Sequence, residues 1–132
     1  MTRSETAVED ALTAVELVGP DEACVLLGLS AAYPPAALRR YEAENRILRI
    51  DWKGQAVYPR FQFDKAEHEV HPALLEVMAM RTDDWGGTIA LMHWLTRPNR
   101  SLGGARPCDR LSEDGDRIVA AFGAELSEPF HG

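Results

Sequence analysis

Histidine and cysteine are the side chains here best suited to chemistry, and their spacing decides which chemistry is open. His68 and His71 lie three apart, beside Glu67 and Glu69. Two imidazoles so spaced can begin a zinc site, but such a site needs a third ligand at plausible spacing. Neither Cys24 nor Cys108 is near them in sequence. Solvated residues ahead of a helix are the simpler reading. His93 stands beside Trp94 with no nucleophile as its partner, so it reads as a packed or interface histidine rather than a general base. The chain has no G-x-S-x-G, P-loop or G-x-G-x-x-G. Gly103-Gly104 are not a phosphate cradle, because no Lys-Ser/Thr pair follows them. The two cysteines lack C-x-x-C spacing; a disulfide between them has no support, and reduced thiols in a cytoplasmic protein are expected. The expectation is a binding protein, not an enzyme, with no cofactor and no metal.

The stretch 94–111, WLTRPNRSLGGARPCDRL, has the strongest organisation. Pro98 disfavours helical geometry at Arg97, so a helix should stop there. Pro98-Asn99 suits a tight turn. Leu102 is the large apolar residue of the loop and should pin it to the core. Gly103-Gly104 permit a sharp reversal, and Pro107 can open a second, short helix. The plain reading is a helix–loop–helix connector.

The order W-L-x-x-P-N-x-x-L-x-G-x-x-P-x-x-x-L, carried by Trp94, Leu95, Pro98, Asn99, Leu102, Gly104, Pro107 and Leu111, is more specific than that. It resembles the toxin-binding domain of Xre/MbcA/ParS-type antitoxins, small bacterial proteins that neutralise a toxin encoded beside them. The resemblance implies a partner of the RES-domain type, a toxin that degrades NAD⁺. It implies toxin-binding roles for Trp94, Pro98, Asn99, Leu102, Gly104 and Pro107. Arg100 and Arg106 are charged loop residues and should be exposed to the same partner. Trp94, Leu95 and Leu102 should be buried anchors. The end of the chain, AFGAELSEPFHG, departs from the family's glycine-ended terminal helix, and the Xre-type N-terminal half is missing.

Length and charge narrow the options further. A chain of 132 residues makes one domain or two small interlocked ones, and 45% apolar residues suffice for a packed core. No apolar run has transmembrane length, and the polar, acidic MTRSETAVED does not read as a signal peptide. The net charge of -7 is uneven. Residues 1–32 and 66–132 are each net -5, whereas 33–65 are net +3. A nucleic-acid surface would therefore lie in the middle third, where phosphate contacts find positive charge.

Periodicity predicts the elements that carry these residues. An amphipathic helix is expected over 5–18, with Val8, Leu12 and Val15 along one stripe and Leu17 and Val18 on its adjacent edge; it serves either as a packed helix or as a dimerisation arm. Residues 21–46 have helix-turn-helix organisation. Asp21 caps a first helix that buries Ala23, Leu26 and Leu27, and Pro34-Pro35 open a second with Leu38 and Tyr41 inward. Asn45 closes that helix in left-handed geometry. Residues 47–63 read as a hairpin about Lys53-Gly54-Gln55, and Pro59 makes its second strand an edge or interrupts it. The phrase EACVLLGLSAAYPPAALRRYEAENRIL resembles the start of MerR-like winged helix-turn-helix domains. That resemblance sets Arg39, Arg40 and Arg46 on or beside a recognition helix and Lys53 in a wing, where they would bind operator DNA. A fold that persists without reading DNA is the alternative, since Glu42 and Glu44 share the helix.

Residues 66–132 should be helical. Pro72 opens one helix, Asp83 or Asp84 caps a second over DWGGTIALMHWL, the central core helix, and Asp114 caps a third with Ile118, Val119, Phe122 and Leu126 inward. The tail 127–132 should be mobile. The expected fold is mainly α with a small β-hairpin: an N-terminal helix and winged half over 1–65, then a compact helical half over 66–132. The expected assembly is a homodimer and a toxin–antitoxin hetero-oligomer, with no membrane contact. The rival function is a stand-alone MerR-like DNA-binding regulator.

Overall fold

The computed structural model describes residues 3–30 and 32–127, so the tail beyond Ser127 lies outside the described residues. The architecture is mainly α-helical with a small antiparallel sheet. Helix α1 (Arg3–Thr13) leads to strand β1 (Leu17–Val18), then α2 (Pro20–Leu26) and α3 (Pro34–Ala43). Strands β2 (Ile50–Trp52) and β3 (Gln55–Pro59) follow, joined through Lys53-Gly54. The three strands form one antiparallel sheet in the order β1-β3-β2. A 3-10 turn (Arg60–Gln62), a two-strand pair β4 (Phe63–Asp64) and β5 (Glu69–Val70), and helices α4 (Pro72–Met80), α5 (Thr88–Thr96) and α6 (Gly115–Ser127) complete the chain.

Several boundaries differ from the sequence expectation. The first helix stops at Thr13 rather than running to 18, because Leu17 and Val18 pair with Pro59 and Tyr58. That pairing buries Val18. It also makes β3 the central strand, so Pro59 does not mark an edge. Pro59 ends the strand instead, and the missing N–H falls where the ladder gives way to a 3-10 turn. The chain after residue 65 is not wholly helical, since Glu69–Val70 closes back on Phe63–Asp64. Asp21 makes no side-chain cap; Gly19 precedes α2 and Pro20 sits in its first turn. Asp83 and Asp84 do not cap α5 either, which starts four residues later behind Gly87. Gly86 explains the delay. Its φ of +152° is unfavourable for any side chain, and a Cβ there would meet that of Ala90 at 2.7 Å.

One hydrophobic cluster joins all of these elements, from Ala11 and Leu38 through Tyr58 to Leu91 and Phe122. In α5, Leu91, Met92 and Leu95 are fully buried, as a central helix requires. Each such side chain contributes about 1.5–3 kcal/mol before conformational entropy is charged against it. α1 packs on α5, and α4 packs on α6. Asn45 has the left-handed φ of 56° expected of it, and its amide donates to the Met78 carbonyl at 3.2 Å. Gln62 is a buried polar side chain that sequence reasoning missed. Its carbonyl accepts from Leu48 N–H at 2.8 Å, and its amide donates to the Leu48 and Pro59 carbonyls at 2.9 and 3.1 Å. It thus satisfies the backbone of Leu48, which lies outside the strand ladder.

Candidate protein-binding surface

The loop after α5 is built on Asn99. α5 ends at Thr96, whose hydroxyl donates back to the Met92 carbonyl at 2.8 Å, and Arg97 is extended ahead of Pro98. The Asn99 side chain accepts from Ser101 N–H at 2.9 Å. Its backbone N–H donates to the Ala105 carbonyl at 3.0 Å, and its own carbonyl accepts from Leu102 and Gly104 at 3.0 and 2.9 Å. Those bonds close a 3-10 turn, Arg100–Leu102, and Gly103 and Gly104 reverse the chain with φ of 66° and 91°. Leu102 is buried and pins the loop, as expected. A second 3-10 turn, Pro107–Asp109, follows, with Pro107 and Cys108 buried.

The eight signature residues therefore divide. Leu95, Leu102, Pro107 and Leu111 are buried and hold the loop in place. Pro98 and Gly104 are exposed, and Trp94 and Asn99 are half-buried. Trp94 is thus not the fully buried anchor expected of it. Its ring meets Phe122 edge-on at 5.0 Å and 75°. Trp85 also meets Phe122 edge-on, at 5.0 Å and 71°. The outer side of this aromatic stack opens into a groove of about 480 Å³ between α5, the loop and α6. Trp94, Pro98, Asn99 and Arg100 all line it. So do Trp85, His93, Arg97, Ala121 and Ala124, which sequence reasoning did not assign to the site. The available signal was the small-residue spacing of Ala121 and Ala124, one helical turn apart on α6. Arg97 and Arg100 are exposed, and Arg100 makes no ion pair among the described residues.

Arg106 lies elsewhere. It was expected to be an exposed loop cation, but it is half-buried and committed within the chain. Its guanidinium donates to both Asp109 oxygens at 2.8 and 3.0 Å, and to the Ala14 carbonyl at 3.0 Å. It lines a shallower groove with Arg60, Phe61 and Cys108, away from Trp94. The physical cause is the acidic residue three positions on, within reach of a forked Arg pair.

The positive residues of α3 and the β2–β3 hairpin are also mostly engaged. Arg40 and Arg46 both bind Glu44, at 3.4 and 3.1 Å. Hydrogen bonds from Arg46 and then Arg40 hold the Glu44 carboxyl below its usual range. Arg46 stacks over Tyr41 at 4.9 Å, and Lys53 over Trp52 at 5.5 Å. Arg39 is exposed on α3 and makes no ion pair among the described residues. Arg49, unassigned from sequence, binds Glu42 and Asp51 at 2.8 Å each.

Among the described residues, His68 and His71 do not converge with His93 or with a cysteine on a metal site. His68 is exposed in the β4–β5 turn and His71 precedes α4. Among the described residues no group of three His, Cys, Asp or Glu side chains is placed to hold a metal. His93 Nδ1 lies 3.5 Å from Arg97 in the groove. Cys24 and Cys108 are free and buried. Burial, then the Asp109 charge, pushes the Cys108 thiol up to about 11, so it is protonated at neutral pH and a poor nucleophile. Among the described residues no helix is long and apolar enough to cross a membrane.

No family model matches the chain, and no curated protein and no solved structure matches it.

Proposed function

We propose that this chain is a cytoplasmic, non-enzymatic antitoxin that binds and neutralises a RES-domain toxin. What supports the reading is the resemblance of residues 94–111, together with one observation. Four members of that stretch, Trp94, Pro98, Asn99 and Arg100, line one groove against α6, whereas Gly104 and Arg106 lie outside it. The buried members hold the loop rigid, so a partner would meet a preorganised surface and lose little to ordering. The toxin caps this groove in a hetero-oligomer of antitoxin dimers. Co-expression tests it: the chain should rescue growth from a RES toxin, and the purified chain alone should leave NAD⁺ intact. Arg100→Ala should weaken the complex about thirtyfold in calorimetric titration, as an interfacial arginine can. Full rescue by the double variant Trp94→Ala, Arg100→Ala would sink the proposal.

A second reading, operator binding by α3, is favoured by the order of α1, β1, α2, α3, β2 and β3. It fits an antitoxin that represses its own operon, or a regulator acting without a toxin. Binding to DNA of its own promoter, falling steeply with salt, is the observation that would support it.

A further inference from the structure

We propose that the cleft between α3 and the β1–β3 face binds a small amphipathic carboxylate, an anion with an apolar body. The cleft has a volume of about 520 Å³ and shares no residue with the groove beside Trp94. Small-molecule sites are clefts of roughly 300–1,000 Å³ with apolar walls and a few fixed polar groups. Leu17, Pro20, Pro35 and Val57 supply the walls, all half-buried. The polar floor is already satisfied. Tyr58 Oη donates to one Glu42 oxygen at 2.7 Å, and Arg49 donates to the other at 2.8 Å. Arg49 also forks onto Asp51 at 3.0 and 2.8 Å. Glu42 and Arg49 therefore answer one another, and neither is left to attract a ligand charge.

Arg39 is different. It lines the same cleft from α3, is exposed, and makes no ion pair among the described residues. Arg39 is thus the one guanidinium lining the cleft that has no carboxylate partner among the described residues, and it stands beside an apolar wall. A guanidinium takes a carboxylate through two parallel N–H bonds. A cation would be repelled, and a neutral molecule would leave Arg39 unused. Inorganic phosphate could meet Arg39 but would leave the apolar walls in water. An anion with an apolar body uses both.

NMR titration of the full chain with phenylbutyrate, its neutral amide and acetate tests this. Phenylbutyrate should shift the Gly19, Val57 and Tyr58 amides saturably. The amide should bind about tenfold more weakly, the effect of losing one charge-assisted hydrogen bond. Arg39→Gln should bring the carboxylate down to the level of the amide. Arg40→Gln should change nothing, because Arg40 lies outside the cleft and is paired with Glu44. Acetate binding as tightly as phenylbutyrate would overturn the proposal, as it would mean a bare anion effect. Unchanged affinity in Arg39→Gln, or no saturable shift with phenylbutyrate in the millimolar range, would overturn it as well.

Discussion

Arg106 donates through Nη1 to the carbonyl of Ala14 at 3.0 Å, across 92 residues of sequence. The contact ties the signature loop to the stretch just after α1. That carbonyl lies beyond the last helical turn and has no intrahelical partner. The Asp109 fork fixes the guanidinium for the task.

Arg106→Ala should therefore lower the stability of the chain rather than act at the groove beside Trp94. With the side chain a third exposed, solvent screening keeps the loss to about 1–2 kcal/mol. A thermal melt should fall by about 3–6 °C. Arg100→Ala, in the same loop but uncommitted, should leave the melt unchanged. Equal melts for the two variants would contradict the clamp.

The clamp also predicts a pH dependence. Hydrogen bonds from Arg106 hold the Asp109 carboxyl below its ordinary value, against a smaller opposing effect of burial. The unfolded chain then takes up this proton first as pH falls. The stabilisation is complete above the ordinary carboxylate pKa of about 4 and is lost as pH drops through the lower folded value. Asp109→Asn should flatten that part of the stability profile, read from urea midpoints between about pH 5 and pH 2.

Trp94 and Leu95 are neighbours with different duties. Leu95 is fully buried, and Leu95→Ala should cost about 2–5 kcal/mol by opening a cavity. Trp94 shows one side to the groove, so Trp94→Ala should cost only about 2 kcal/mol, less than a fully buried tryptophan. Trp94→Ala should stay folded and weaken the proposed toxin complex. A variant that unfolds outright would return Trp94 to the core.

Gln62→Leu should be costly although it replaces a polar group with an apolar one in the core. It strands the N–H and carbonyl of Leu48. Each buried unsatisfied group costs about 1–3 kcal/mol. A loss of about 2–4 kcal/mol in urea unfolding, with the slope unchanged, is expected. A neutral result would mean that water replaces the amide.

Glu44 holds two of the cations expected to meet DNA. Glu44→Gln should free Arg40 and Arg46 and raise affinity for promoter DNA a few-fold at low salt, with a steeper salt dependence. Exposed pairs are individually worth less than about 1 kcal/mol, so fold stability should hardly move. Fluorescence anisotropy would read the change, and weaker binding by Glu44→Gln would count against α3 as a reading helix.

The chain's local chemistry was legible without the fold. Pro98 stops a helix by a clash with the residue before it. Gly103-Gly104 turn because they lack a Cβ, and Asn45 closes α3 in left-handed geometry. In α6 the inward positions Ile118 and Phe122 follow from periodicity, with Val119 and Leu126 half-buried beside them. Leu102 could be assigned to the core because no other large apolar residue was available to hold the loop.

What tertiary structure decided were the pairings between distant residues. Leu17 and Val18 continue an apolar helical stripe, yet they become a strand because β3 offers them backbone partners that a helix end would not. Gln62 looks like any surface glutamine until the Leu48 backbone needs it. Charge sequence alone left Arg39, Arg40, Arg46, Arg100 and Arg106 alike. Whether each is free or spent depends on which carboxylate or carbonyl the fold carries to within about 3 Å, because charge-assisted hydrogen bonds act only at contact. Arg106 met Asp109 and Ala14, Arg40 and Arg46 met Glu44, and Arg39 and Arg100 were left outside the ion pairs among the described residues.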